Sequence, residues 1–317
     1  MQPISRRSSL LALGATLGGA MIARASADPI PLHVGIIPTI ANAGYYAADK
    51  FGYFSAENIA VTAEVIRGGA AAIPTLANGS VDVLFSNATS VVEAIVGGID
   101  LRVIIEGTIM ANKPPDSGAL VKRRGDPIHT GKDLEGKVIA TNALRDVVWM
   151  VVTAWITATG GDPQKVGIVE VPIPAMVDAI KQKRVDAALI IDPVLTAALA
   201  DPALELLDWP LSRVYAGGPT SLWITSADMA QRRPNDLRAF LRAYKRGALW
   251  VNANLGKDAY YDLVAAFSGL NVDVLRQMKP VPTPPDIVPG SLLRLTALMR
   301  QTGLLNTSLD LRTKIFT

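Results

Sequence analysis

The chain has 317 residues, half of them apolar, with 6% aromatic residues and no cysteine. That length accommodates two ordinary domains with a sizeable core. The lack of thiols excludes disulfide scaffolds, thiolate catalysis, cysteine-based metal sites and a lipid-modified N-terminal Cys.

Residues 1–27 read as a leader. Arg6 and Arg7 precede an apolar stretch over residues 10–23, and Ala25-Ser26-Ala27 has the small-x-small form of a signal cleavage site. The stretch is too short and too rich in Gly to span a membrane. Ser5-Arg6-Arg7-Ser8-Ser9-Leu10 resembles a twin-arginine export signal, with Ser9 standing where Phe is usual; the alternative is an ordinary secretory leader. The formal charge of +3 sits in this segment, which carries Arg6, Arg7 and Arg24 and no acid. Beyond it basic and acidic residues balance, so charge gives no reason to invoke nucleic acid or an anionic membrane. The expectation is an exported, soluble, periplasmic protein without a lipid anchor.

The elements then follow in order. Residues 32–37 read as a strand, 45–51 as a helix closed by Gly52, and 60–66 as a second strand. After Gly68-Gly69 come a helix (70–77), a strand (81–85), a helix (89–96) and a strand (101–105). The alternation restarts with a strand at 137–140, a helix at 146–159 and a strand at 167–171. A helix at 175–183, a strand at 186–191 and a helix at 194–199 complete it. Such spacing predicts βαβ units and mostly parallel sheets. The halves echo one another: a helix leads through a polar turn into Val81-Asp82-Val83 in one and Val185-Asp186-Ala187 in the other.

Two short strands, 119–121 and 221–225, bracket the second half, each after a linker. This predicts an inserted domain with two crossings: residues 28–120 and 220–317 as one lobe, 121–219 as the other. Two crossings make a hinge and a cleft. The tail adds an amphipathic helix at 234–252, with Leu237, Phe240, Tyr244 and Leu249 towards the core, and a helix at 292–299. The Pro-rich stretch 279–289 reads as a surface crossover without chemistry.

Several segments taken together resemble the type 2 periplasmic solute-binding proteins of ABC importers, in the group of sulfonate, taurine, nitrate and thiamine-precursor receptors. They are Val34-Gly35-Ile36, Ala43-Gly44-Tyr45-Tyr46-Ala47-Ala48, Phe51-Gly52-Tyr53-Phe54, Leu76-Ala77-Asn78-Gly79-Ser80-Val81-Asp82, Asp133-Leu134-Glu135-Gly136-Lys137-Val138 and Asp192-Pro193. Order and spacing carry the resemblance, since no single motif is specific. It implies two α/β lobes joined by two hinge strands, a small-molecule ligand between them, and an importer permease as partner. The protein is expected to act as a monomer without cofactor or metal.

Ligands in open α/β sheets sit beyond the carboxyl ends of the strands. That rule selects the loops at 39–44, 67–70 and 86–88 in one lobe, and 141–145, 172–174 and 192–193 in the other. The candidate contacts are Thr39, Asn42, Tyr45, Gly68, Gly69, Ser86, Asn87, Thr141, Arg145 and Asp192. Glycines and short donors at helix starts favour an anion, although Ser86 and Asn87 also suit plain helix capping. Arg145 either forks onto a cleft anion or pairs on the surface with Asp146. Asp192 either meets a ligand amine or caps the helix that follows. The expected ligand is a small organic anion, a sulfonate or aromatic carboxylate.

The two histidines, His33 and His129, fall far apart in this scheme, and no Ser-His-Asp set, Walker loop or dinucleotide fingerprint is present. The chain therefore reads as a receptor and not an enzyme. The alternatives on the same fold are a thiamine-pyrimidine or futalosine-pathway type of enzyme and a receptor that serves a sensor.

Overall fold

The computed structural model describes residues 28–66 and 69–317. The expected leader, Arg67 and the candidate Gly68 lie outside them.

Ten strands form two sheets of five. The first contains β1 (Ile30–Ile36), β2 (Ile59–Val65), β3 (Val83–Asn87), β4 (Leu101–Ile109) and β10 (Pro219–Ser226), in the order β2-β1-β3-β10-β4. The second contains β5 (Gly118–Arg123), β6 (Val138–Thr141), β7 (Gly167–Glu170), β8 (Ala187–Ile191) and β9 (Leu204–Asp208), in the order β7-β6-β8-β5-β9. Strand β1 runs parallel to β2 and β3, and β6 parallel to β7 and β8. One strand in each sheet is reversed: β10 is antiparallel to β3 and β4, and β5 to β8 and β9. These reversed strands adjoin the two crossings. The expected two-lobed α/β fold is therefore present, with mixed sheets.

The shared strand order gives the sequence echo a physical basis. The Asp82 carboxylate accepts from His33 N at 2.9 Å, and the Asp186 carboxylate from Val138 N at 2.9 Å. Asp82 N and Asp186 N return bonds to the carbonyls of His33 and Val138. In each lobe an Asp just before the central strand, β3 or β8, thus satisfies a backbone donor at the parallel neighbour, β1 or β6. An arginine braces each: Arg233 reaches Asp82 at 3.1 Å and Arg123 reaches Asp186 at 3.3 Å.

Long-range pairing explains where elements differ from local expectation. Strand β4 runs on to Ile109 because β10 pairs alongside it, from Pro219 opposite Ile109 to Ser226 opposite Leu101. Strand β3 starts late because Val81 still belongs to the turn, donating to the Thr75 carbonyl. The edge strand β9 and the helices Pro210–Tyr215, Ala227–Arg232, Asp258–Ser268 and Val272–Gln277 have no counterpart in the sequence reading. Among the described residues, no helix is long and apolar enough to cross a membrane.

The core is not confined to each lobe. The helix Ser291–Gln301 buries Leu292, Leu295 and Met299 in the same apolar cluster as Val147, Met150 and Val151 of the inserted lobe's helix Val147–Ala158. A second cluster packs Tyr45, Phe54, Trp223 and Phe240 on the other face of the first sheet. Here the helices Ala43–Lys50 and Pro234–Asn254 meet almost backbone to backbone: a Cβ on Gly247 would lie 2.1 Å from the Gly44 carbonyl oxygen. Leu249, expected on the core face, is 50% exposed, because Gly247, Ala248 and Val251 form the contact instead.

Gly247→Ala should force the two helices apart, and overpacking of this kind costs about 1–3 kcal/mol. Urea unfolding reads this directly, and an unchanged midpoint would show that the helices can separate freely.

Candidate functional site

A cavity of about 500 Å³ lies between the lobes, at the carboxyl ends of the strands. Thr39 and Ala41 line it after β1, Asn87 at the end of β3, and Asn142 after β6. Asp192 and Pro193 line it after β8, as do Thr108, Ser117 and Thr220 beside the crossings. Its apolar walls include Ile37, Phe85, Met110, Val148, Leu211 and Leu270. A larger groove of about 910 Å³ borders Ile315, Phe316 and Thr317, but it touches the first lobe alone and sits at the start of β4.

The crossings set the cavity floor. Residues 110–117 and 216–218 connect the lobes and bond to each other: Met110 N donates to the Gly218 carbonyl at 2.9 Å, and Gly217 N to the Met110 carbonyl at 3.2 Å. Gly217 has φ +67°, a left-handed conformation that costs glycine least. Asp116 fixes the inserted lobe to this floor by accepting from Ser212 N at 2.7 Å, and burial raises its carboxyl above the usual range.

Helix starts around the cavity differ in how they are satisfied. Asn87 Oδ1 accepts from Thr89 N at 3.0 Å and Thr89 Oγ1 at 2.8 Å. In the inserted lobe, Asp146 Oδ1 accepts from Trp149 N at 2.9 Å, and Asp192 Oδ1 from Thr196 N at 3.0 Å and Thr196 Oγ1 at 2.7 Å. Burial raises both of these carboxyls, against the bonds that hold them. By contrast the turn Ile40–Asn42 and the helix Ala43–Lys50 have no side-chain cap. Carboxylates thus close the helix starts on one wall, while the other has the neutral Asn87 cap and an uncapped turn at Ile40–Asn42. Two buried polar atoms on cavity-lining residues lack a protein partner: Asn142 Oδ1 and Ser221 Oγ. The Asn142 amide is oriented by its bond to Asp146 Oδ2 at 2.9 Å.

The predicted site residues separate into those at the cavity and those away from it. Thr39, Asn87 and Asp192 line it. Asn42 and Thr141 are buried next to it: Asn42 Nδ2 donates to the Ile37 carbonyl at 2.7 Å while its Oδ1 has no protein partner, and Thr141 Oγ1 donates to the Ala143 carbonyl at 3.2 Å. Gly69 opens the helix Gly69–Ala77. Ser86 is buried on the opposite face of β3 from Phe85 and Asn87, as strand alternation requires.

Tyr45 is corrected to a core residue. It is 1% exposed, with ring centroids 5.4 Å from Phe54 and 5.5 Å from Trp223, because its helix face turns towards the sheet. Arg145 is corrected too. It adopts φ +63°, lies outside the cavity lining, and pairs at 2.9 Å with Glu93 of the opposite lobe. Thr89 Oγ1 adds a 3.3 Å bond to the Arg145 carbonyl. These contacts close the cleft mouth.

Sequence reasoning missed Thr108, beyond the expected end of β4, Thr220 and Ser221, at a strand read only as a crossing, and Asn142, one place from a named candidate. It also missed the Pro-rich stretch: Lys279 and Val281 line the cavity and Thr283 is 2% exposed. Neither His33 nor His129 lines the cavity. No group of three or more His, Asp or Glu suited to a metal occurs among the described residues.

Residues 40–254 match a family model described as NMT1/THI5 like. A search of curated protein sequences returns no match. Among solved structures, the chain is similar to the periplasmic aliphatic sulphonate binding protein SsuA of Escherichia coli. The TM-score is 0.73 at 18% identity, over 91% of this chain and 98% of that one. It is similar to the alkanesulfonate-binding protein SsuA of Xanthomonas axonopodis, solved bound to MOPS, with TM-score 0.69 at 17% identity over 91% and 99% of the chains. It is also similar to the periplasmic nitrate-binding protein NrtA of Synechocystis, with TM-score 0.67 at 13% identity over 89% and 84%. At these identities the likeness is one of fold, that of the periplasmic binding proteins.

Glu93→Gln should release the mouth at little cost in stability, since exposed ion pairs are worth about 0–1 kcal/mol. Spin labels on the two lobes should report longer separations in the variant; an unchanged distance distribution would deny the pair any role in holding the mouth.

Proposed function

Since the chain belongs to the NMT1/THI5-like family, we propose that it is an extracytoplasmic solute-binding receptor that encloses a small organic anion between its lobes and presents it to an ABC importer permease. One observation carries this reading: both lobes line a single, largely apolar cavity at their strand ends, and that cavity holds unpartnered polar atoms. Preformed concave sites with apolar walls and a few convergent polar groups suit a small ligand.

The chemistry favours binding over catalysis. The acids at the cavity cap helices, and no histidine is beside them to act as a base. The uncapped turn at Ile40–Asn42 favours a negative head group, the apolar walls suit an alkyl or aryl body, and Asn142 Oδ1 calls for a hydrogen-bond donor. A sulfonate or aromatic carboxylate meets the first two demands, and a hydroxyl or amine on its body would meet the third. The proteins of similar fold are themselves named for binding sulfonates and nitrate.

Ligand touching both walls stabilises the closed arrangement by its differential contacts, and the linkers at residues 110–117 and 216–218 take up the motion. Export through the leader at residues 1–27 brings the receptor to the outer face of the inner membrane, where it acts as a soluble monomer.

A thermal-shift screen across sulfonates, carboxylates, nitrate and pyrimidines should yield a ligand that raises Tm. At a hundredfold excess over Kd the gain is about 2.7 kcal/mol. Solution scattering should then show compaction with that ligand. Stabilisation without compaction would remove lobe closure from the mechanism; no stabilisation by any anion would remove the anion.

A further inference from the structure

We propose that Lys279 is the residue that reads ligand charge in the cleft, and that the two carboxylates sharing its cavity restrict the ligand to a monoanion on an apolar body. The inference rests on the receptor reading above and names its substrate class more closely.

Lys279 is the one lysine or arginine among the described residues that line the cavity. It is exposed and takes part in none of the ion pairs found among those residues. Its acidic neighbours are already engaged. Asp146 accepts from Trp149 N at 2.9 Å and from Asn142 Nδ2 at 2.9 Å. Asp192 holds the start of the helix Val194–Ala200 through Thr196. The Lys279 backbone also bonds to Asp192, and the Lys279 charge acts on Asp116, which accepts from Ser212 N at 2.7 Å. With no ion pair of its own, the ammonium is the charge left to a ligand. A carboxylate or sulfonate entering the cleft gives it a charge-assisted bond.

The backbone that carries Lys279 is fixed on both sides. Ahead of it, Met278 is 6% exposed and packs in the cluster that includes Tyr260 and Leu275. Beyond it, Val281 N donates to the Tyr260 hydroxyl at 3.3 Å. Thr283 then exchanges two bonds with the Asn252 amide: Thr283 N to Oδ1 at 3.0 Å and Nδ2 to the Thr283 carbonyl at 2.8 Å. A long side chain on a preset backbone loses less freedom when it binds. Across the cavity, Ser221 lines the wall and its Oγ is buried without a protein partner.

The acids set the other half of the specificity. A second negative charge on the ligand would face Asp146 and Asp192 with one cation to offset it, and like charges in a desolvated site repel strongly. Dianions are rejected on that ground.

The test titrates the full chain calorimetrically with five ligands of matched shape: benzenesulfonate, benzoate, phenylphosphonate, benzamide and benzylamine. Mildly alkaline buffer keeps the phosphonate a dianion. Wild type should bind the two monoanions best, with phenylphosphonate at least about tenfold weaker. Lys279→Met should weaken monoanion binding by about 10–100-fold and leave benzamide unchanged, and Lys279→Arg should retain most of the affinity. Lys279 is exposed, so neither variant threatens folding. The proposal is overturned, with the receptor reading intact, if Lys279→Met binds monoanions as wild type does, or if wild type prefers the amine, the amide or the dianion. Failure of wild type to bind either monoanion also overturns the proposal, while the receptor reading stands or falls on the broader screen above.

Discussion

Everything at the cleft depends on the pair of linkers that bond to one another. Met110 exchanges backbone bonds with Gly217 and Gly218, so the two crossings behave as one narrow strip. On either side of the strip the chain enters a reversed strand, β5 in one lobe and β10 in the other. Each lobe thus has its fourth strand position filled by a segment adjoining a crossing. The cavity is the space left above that strip, and its depth follows from how far the strands project beyond it.

The two walls are electrostatically unlike. The inserted lobe meets the cavity with helix starts closed by Asp146 and Asp192, whose carboxyls burial pushes upward. The first lobe meets it with a helix start capped by the neutral Asn87, an uncapped turn and Lys279. A helix start without a capping side chain keeps donors free for a ligand. The site is therefore polarised across its width: negative charge held in check on one side, positive potential on the other. An asymmetric ligand, head to one wall and body between the apolar residues, fits such a field better than a small symmetric ion.

Much of the fold was legible because periodicity and turn chemistry are local. Alternation located β1 and β2, and the Gly and Asn stops located the helices between them. The order of short motifs sufficed for the family, since neighbouring elements in such sheets connect in few ways. Site residues were less legible, because they depend on side-chain direction. Ser86 and Asn87 are adjacent and face opposite sides of β3, so one lies outside the cavity and the other in it. Arg145 was judged by its place at a helix start, but its left-handed backbone and the Glu93 carboxylate 52 residues away decide where it goes. Lys279 was hidden by its setting: a Pro-rich stretch carries no periodic signal, and Asn252 and Tyr260, which anchor it, come from distant helices.

The matched aspartates, Asp82 and Asp186, make the cleft a joint between like parts. Each occupies the same place in the same strand order, accepts from the parallel strand beside it and is braced by an arginine. A ligand in the cleft therefore meets two surfaces framed by one backbone plan, told apart by the side chains that each lobe sets at its strand ends.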